Sequence, residues 1–149
     1  MDNVEVYFSP GEDCLKAILH YLAHAKREVK ICVFTITDNR ISRAIKDCYN
    51  RGVKVKIITD NDKSSDRGSD IWEFDREDIE VRIDRTSNHM HHKFAVIDDF
   101  ILITGSYNWT RSAEKYNQEN LVVIRDKKAI QKFDKEFDRL WKVFFEYRN

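Results

Sequence analysis

The sequence predicts an α/β domain: a mostly parallel mixed β-sheet with helices on both faces. Three observations carry this expectation. Short runs rich in β-branched and aromatic residues alternate along the chain with segments of helical periodicity. Repeated β-α-β order favours parallel pairing and places helices on the two faces of the sheet. Around residue 98 the alternation gives way to two apolar runs joined by two residues, which demands an antiparallel hairpin. At 149 residues the chain is read as one domain, residues 1–149.

Each element has its own signal. Val4 to Phe8 alternates like a strand. Asp13 to Lys26 has helical spacing through Leu15, Ile18, Leu19 and Leu22. Val29 to Thr35 is a strand. Asp38 is a good N-cap for a helix that runs to Asn50 and stops at Gly52. Val53 to Thr59 is a strand, followed by the charged loop 60–70 (DNDKSSDRGSD). Ile71 to Asp75 belongs to a short helix and Ile79 to Ile83 to a strand. KFAVI (Lys93 to Ile97) and FILIT (Phe100 to Thr104) form the hairpin around Asp98-Asp99. Asn120 to Ile124 is a strand. Asp126 to Tyr147 closes the chain as an amphipathic helix, with Ile130, Phe133, Phe137, Leu140, Trp141 and Phe144 on the face that belongs to the core.

Composition narrows the classes. The chain is 42% hydrophobic and contains nine Phe, six Tyr and three Trp, enough for a substantial core. Basic and acidic side chains number 26 each, so net charge does not announce a polyanion-binding domain. Cys14, Cys32 and Cys48 are an odd set without paired spacing, which predicts reduced, buried thiols and a cytosolic (cytoplasmic) setting. The start MDNVEVYFS lacks the plan of a signal peptide. No run approaches the ~18 apolar residues of a transmembrane segment.

The chemistry concentrates between residues 91 and 108. HHKFAVID holds His91, Lys93 and Asp98 in the spacing H-x-K-x(4)-D, and GSYNWT holds Ser106 and Asn108. In the hairpin His91 lies across from Ser106 to Asn108, and Lys93 across from Thr104 to Ser106. Strand alternation puts His91 and Lys93 on one face. Polar groups suited to phosphate therefore converge at the open end of the hairpin. Asp98 has the opposite parity and sits at the turn, which suits support better than phosphate contact. Taken singly, such residues are ordinary structural or surface groups; their joint spacing points to phosphodiester cleavage.

At this point the chain resembles the phospholipase D superfamily, whose signature is H-x-K-x(4)-D followed by G-S-x-N. MHHKFAVIDDFILITGSYNWT is similar to the small single-motif branch of bacterial nucleases and Zucchini-type proteins, and the likeness reaches VFTITDNRISRAIKDCYNRGVKVKIITD and QEN. The resemblance implies a phospholipase D-like fold and a set of candidate catalytic residues: His91, Lys93, Asn108, Glu119, Asp98 and Ser106. His91 is the expected nucleophile, forming a phosphohistidine. Lys93 and Asn108 are expected to hold the non-bridging oxygens. Glu119 is expected to hydrogen-bond and orient His91. The scheme requires no metal and no cofactor. It needs two histidines while the chain has one motif, so a homodimer with a composite active site is expected.

Substrate is read from the loops. Lys63, Arg67, Arg85, Arg111 and Lys115 are candidate phosphate contacts, and Trp109 a candidate base-stacking residue. They favour an endonuclease on single-stranded DNA or RNA, with a phospholipid such as cardiolipin as the alternative substrate. His89, His91 and His92 raise a reading of another class, a metal-binding or non-catalytic binding module. Against it, His92 points away from the other two on an extended chain, and no Cys or carboxylate stands at a usual ligand spacing.

Overall fold

A computed structural model of the chain describes residues 3–60 and 70–146. In chain order these form β1 (Val4–Ser9), α1 (Asp13–Ala23), β2 (Glu28–Val33), α2 (Asn39–Asn50), β3 (Lys54–Asp60), α3 (Ile71–Arg76), β4 (Glu80–Asp84), β5 (Lys93–Ile97), β6 (Ile101–Gly105), α4 (Arg111–Lys115), β7 (Glu119–Ile124), α5 (Lys127–Val143) and β8 (Phe145–Glu146). Among the described residues the strands make one sheet in the order β1-β7-β6-β5-β2-β3-β4-β8.

Local chemistry explains the helix boundaries. The Asp38 carboxylate accepts the Arg40 N–H and caps α2, and the Asp126 carboxylate accepts the Ala129 N–H and caps α5. Gly52 follows α2 with φ 91°, a backbone that an L side chain resists. One face of the sheet (Ile31, Ile57, Ala95, Ile103, Val123) is buried with Ile18, Leu22, Ile41 and Ile45 of α1 and α2. The other (Cys32, Ile58, Phe94, Val96, Leu102) is buried with Ile130, Phe137 and Leu140 of α5. Each fully buried side chain of this kind contributes roughly 1.5–3 kcal/mol. The α/β class with helices on both faces is therefore observed.

The balance of strand directions differs from expectation. Only β2–β3 and β3–β4 pair in parallel, while β1–β7, β2–β5, β5–β6, β6–β7 and β4–β8 are antiparallel. The β-α-β order misleads because β1 passes through α1 and then pairs with β7 at the sheet's far edge, not with β2. The short β5-β6-β7 connections also form a meander, which two-residue and other tight links impose.

Two ends differ as well. The final helix stops at Val143, not Tyr147; Phe144 turns extended and Phe145–Glu146 pair with β4, whose free edge offers hydrogen bonds. Residues read as loop after Trp109 form α4, nucleated by the Thr110 hydroxyl accepting the Ala113 N–H; five residues are too few to show periodicity.

The hairpin register is as expected, with Phe94 opposite Thr104 and Ile97 opposite Ile101. Phe100 closes the turn with its N–H on Ile97 O (3.0 Å), so β6 begins one residue later. Asp98 and Asp99 both have positive φ (56° and 55°), the two-residue turn that matches strand twist.

Candidate active site

Extending the hairpin register past the Phe94–Thr104 pair sets His91 beside Tyr107 and Lys93 beside Gly105. The exits of β1, β2, β3 and β6 and the entries of β5 and β7 lie at this same end of the sheet. His91 is exposed and Lys93 half-buried. Lys93 Nζ stands 3.1 Å from His91 Nδ1 and also donates to His91 O (3.0 Å). Phe34, just past β2, supports both: its ring centroid is 4.6 Å from that of His91, and Lys93 Nζ lies 5.6 Å above it. The Phe34 N–H also donates to His92 O (2.9 Å), tying β2 to the strand that carries His91.

Electrostatics favour the neutral form of the His91 imidazole. Partial burial, then the Lys93 charge, then His89, hold the His91 pKa below its usual value, with Asp60 pulling the other way. Burial likewise lowers the Lys93 pKa, opposed by Glu119.

Asn108 sits where β6 returns toward β2. Its Oδ1 accepts the Thr35 N–H (3.2 Å), which fixes the amide with its NH2 free of protein partners among the described residues. Glu119 opens β7 and takes its hydrogen bond from Asn117 Nδ2 (3.1 Å). No hydrogen bond joins it to His91 among the described residues, so the expected Glu119–His91 contact is absent from this arrangement.

Three candidates are reassigned. Asp98 lies at the opposite end of the hairpin, away from His91. Its carboxylate accepts the N–H groups of Lys26 (2.9 Å), Arg27 (2.7 Å) and Glu28 (2.9 Å), so it anchors the start of β2. Ser106 Oγ accepts the Asn120 N–H (3.0 Å) and locks β6 to β7. At Gly105 (φ 147°) a Cβ would lie 2.3 Å from Asn120 O, so only glycine permits this approach. Trp109 is 1% exposed, and its backbone bonds Thr35, Thr37 and Asp38; it packs beneath the β2 exit and cannot stack a base.

The loop cations divide. Arg85 follows the β4 exit at the site end of the sheet, donates to Glu146 O (3.0 Å) and packs on Phe145, three strands from β5. Arg111 and Lys115 are exposed on α4. Lys63 and Arg67 lie outside the described residues.

Sequence reading missed Phe34 and Asp60. Asp60 is fully buried at the β3 exit; its carboxylate accepts the Met90 N–H (2.7 Å) and lies 3.4 Å from His89 Nδ1. It thereby fixes the segment leading into His91. The signal was its place at the carboxyl end of a parallel strand, where sites of α/β sheets form. His92 faces the other way, 3.7 Å from Glu136 of α5. Among the described residues no cluster of three His, Cys, Asp or Glu side chains has the geometry to hold a metal.

A family model described as cardiolipin synthase, PLD-like domain, matches residues 18–141. The chain belongs to the phospholipase D-like family. Among curated relatives of this phospholipase D-like chain, the mitochondrial cardiolipin hydrolase of Chlamydomonas reinhardtii is 49% identical over 137 residues, 92% of this chain and 61% of that protein. The Homo sapiens protein of the same name is 37% identical over 134 residues, 90% of this chain and 53% of that protein. The chain thus spans little more than half the length of these relatives. The crystal structure of Nuc from Salmonella typhimurium, a phospholipase D family member, superposes with a TM-score of 0.91 at 29% identity, covering 98% of each chain.

The cytoplasmic expectation is overturned by these names, which assign the relatives to mitochondria. All three cysteines are free and buried, as expected. A thiol sealed in the core is shielded in any compartment, so it was no guide to location. Among the described residues no helix is long and apolar enough to cross a membrane.

Proposed function

We propose that the chain is a metal-independent phosphodiesterase that works through a phosphohistidine and cleaves single-stranded DNA or RNA. One observation carries the reading: an imidazole with a lowered pKa, His91, stands at the same strand end as an ammonium, Lys93, and a fixed amide, Asn108. A phosphodiester is anionic and repels nucleophiles, so a site must supply both a neutral attacker and positive charge. His91 Nε2 attacks phosphorus and forms the P–N bond as the P–O bond to the leaving group breaks. That oxygen takes a proton from His91 of the partner subunit. The imidazole left neutral then accepts a proton from water, whose oxygen attacks phosphorus and breaks the P–N bond. Lys93 and Asn108 hold the non-bridging oxygens throughout. One motif per chain makes a homodimer with a composite site the natural unit. Arg111 and Lys115 are proposed as further phosphate contacts.

The groove beside His91 has a mixed lining, polar at His89, His92, Glu136 and Arg139 and apolar at Met90, Leu140 and Phe144, and the nucleic-acid reading rests on its cationic part. A second reading, hydrolysis of cardiolipin, has its own support. The curated relatives bear that name. Edge strand β1 also exposes Val4, Val6 and Phe8, and Phe8, 66% exposed, pairs with Asn120 at the site end. On either reading the relatives' names make the mitochondrion the proposed compartment.

The test is one panel run in chelator: single- and double-stranded DNA, RNA, cardiolipin vesicles and a chromogenic phosphodiester, with wild type, His91→Ala and His92→Ala. We expect cleavage of single strands by wild type, loss of more than about 10³-fold in His91→Ala, and activity retained in His92→Ala. Activity that vanishes in chelator and returns with zinc or magnesium would overturn the metal-free mechanism.

A further inference from the structure

Overall neutrality hides an uneven surface. Along α5, Lys128, Lys132, Lys135, Arg139 and Lys142 follow one another at spacings of four, three, four and three residues. That is one face of a helix, and it spans about 21 Å at 1.5 Å per residue. All five are exposed. The helix also carries acids, but they are engaged elsewhere. Asp134 and Asp138 both bind Lys30 Nζ (2.7 and 3.1 Å), although Asp138 stays exposed at the flank of the stripe. Glu136 holds Arg139 (2.8 Å) and faces His92 (3.7 Å). Among the described residues no acid pairs with Lys128, Lys132, Lys135 or Lys142. Arg139 belongs both to this stripe and to the groove that contains His91.

We propose that this face of α5 is a phosphate track that receives the single-stranded nucleic acid running out of the His91 groove; the proposal rests on the nuclease reading above. A row of cations one residue wide suits a line of phosphates. A bilayer would instead favour an apolar face to insert beside the charges. In α5 that face is already spent: Ile130, Phe137 and Leu140 are buried against the sheet. Arg139 supplies continuity, since a strand held at His91 meets it first and the lysines beyond.

The test compares wild type with Lys128→Gln/Lys132→Gln/Lys135→Gln, three exposed sites outside the catalytic groove. Substrates are a long single-stranded oligonucleotide, a dinucleotide and a chromogenic phosphodiester. For the long strand, KM should rise about tenfold or more. The slope of log affinity against log salt should flatten by about 2, from roughly 0.7 per lost phosphate contact. Turnover of the chromogenic diester should not change. Equal KM and equal salt slope on the long strand would overturn the track while leaving the nuclease reading intact. Wild type that hydrolyses the chromogenic diester but no nucleic acid would sink the nuclease reading, and the track with it. Loss of binding to cardiolipin-containing vesicles, with unchanged oligonucleotide kinetics, would assign the stripe to a membrane and also overturn the proposal.

Discussion

Lys93 Nζ lies 3.1 Å from Nδ1 of His91. An ammonium can only donate, so Nδ1 is an acceptor and the proton of the neutral ring sits on Nε2. That tautomer blocks the nitrogen assigned to attack. An anionic diester supplies the remedy, because it draws Lys93 toward its own oxygens and frees Nδ1 to carry the proton. Nitrogen NMR of labelled protein should therefore show the Nε2–H form without ligand and the Nδ1–H form with vanadate. An unchanged tautomer on vanadate binding would remove Lys93 from this role.

The same pair governs pH dependence. The folded His91 pKa lies below the ordinary ~6.5, so the nucleophile is neutral above that value. Attack needs one neutral His91 and leaving-group protonation a protonated His91 of the partner subunit. Activity should therefore follow a bell centred on the lowered His91 pKa, falling on acidification as the attacker is protonated and on the alkaline side as the donor loses its proton. The charges that act on the His91 ring are those of Lys93, His89, Asp60 and, from the opposite face, His92. Removing the Lys93 cation (Lys93→Met) should raise the His91 pKa. Removing the Asp60 anion while keeping an acceptor for Met90 N–H (Asp60→Asn) should lower it. Opposite shifts in an NMR titration would confirm both; shifts of the same sign would show that packing, not charge, sets the value.

Asn108→Asp keeps an oxygen for the Thr35 N–H but replaces the amide donor with a negative charge. We expect kcat to fall by about 10²–10³-fold, with the melting temperature nearly unchanged. A variant that unfolds would instead mark Asn108 as structural.

Asp98→Ala should behave in the opposite way. It strands three N–H groups that the carboxylate now accepts, at a cost of about 1–3 kcal/mol, while the site at the far end keeps its turnover. Partial burial pushes this carboxyl up, but the N–H groups of Glu28, Lys26 and Arg27 outweigh it, and its pKa is lowered. A depressed acid stabilises the fold above its unfolded pKa of ~3.9 and loses that contribution as pH falls through the folded value. Chemical denaturation should therefore show the gap between wild type and Asp98→Ala narrowing below about pH 4.

The proposed composite site predicts a mixing curve. Wild-type and His91→Ala chains unfolded and refolded together should lose activity roughly as the square of the wild-type fraction, because attack and leaving-group protonation need His91 from both subunits. A linear decline would show that one chain holds a complete site.

Much of this was legible in the sequence because it depends on local spacing. The hairpin register follows from two apolar runs and a two-residue link, and the cap at Asp38 from its position before a periodic segment. What was missed is long-range. Nothing near β1 says that it pairs with β7, since that choice is made by the whole sheet. Phe34 and Asp60 reach His91 only after β2 and β3 are laid beside β5. Trp109 could be read either as a base-stacking residue or as packed under the hairpin, because its burial depends on Ile36 bridging to it from another part of the chain. Asp98 shows a limit of another kind: its parity already pointed away from phosphate, while its place in the signature pointed toward it.

The contact between Gly105 and Asn120 divides the signature into two messages. On the proposed mechanism His91, Lys93 and Asn108 specify chemistry, whereas Gly105 and Ser106 specify how closely β6 and β7 approach. A mutant library that randomised the first group and held the second would explore new reactivity on an intact scaffold. The reverse library would yield mostly misassembled sheets with every reactive group present. A pattern search that weighs all these letters equally would therefore retain inactive folds as readily as enzymes.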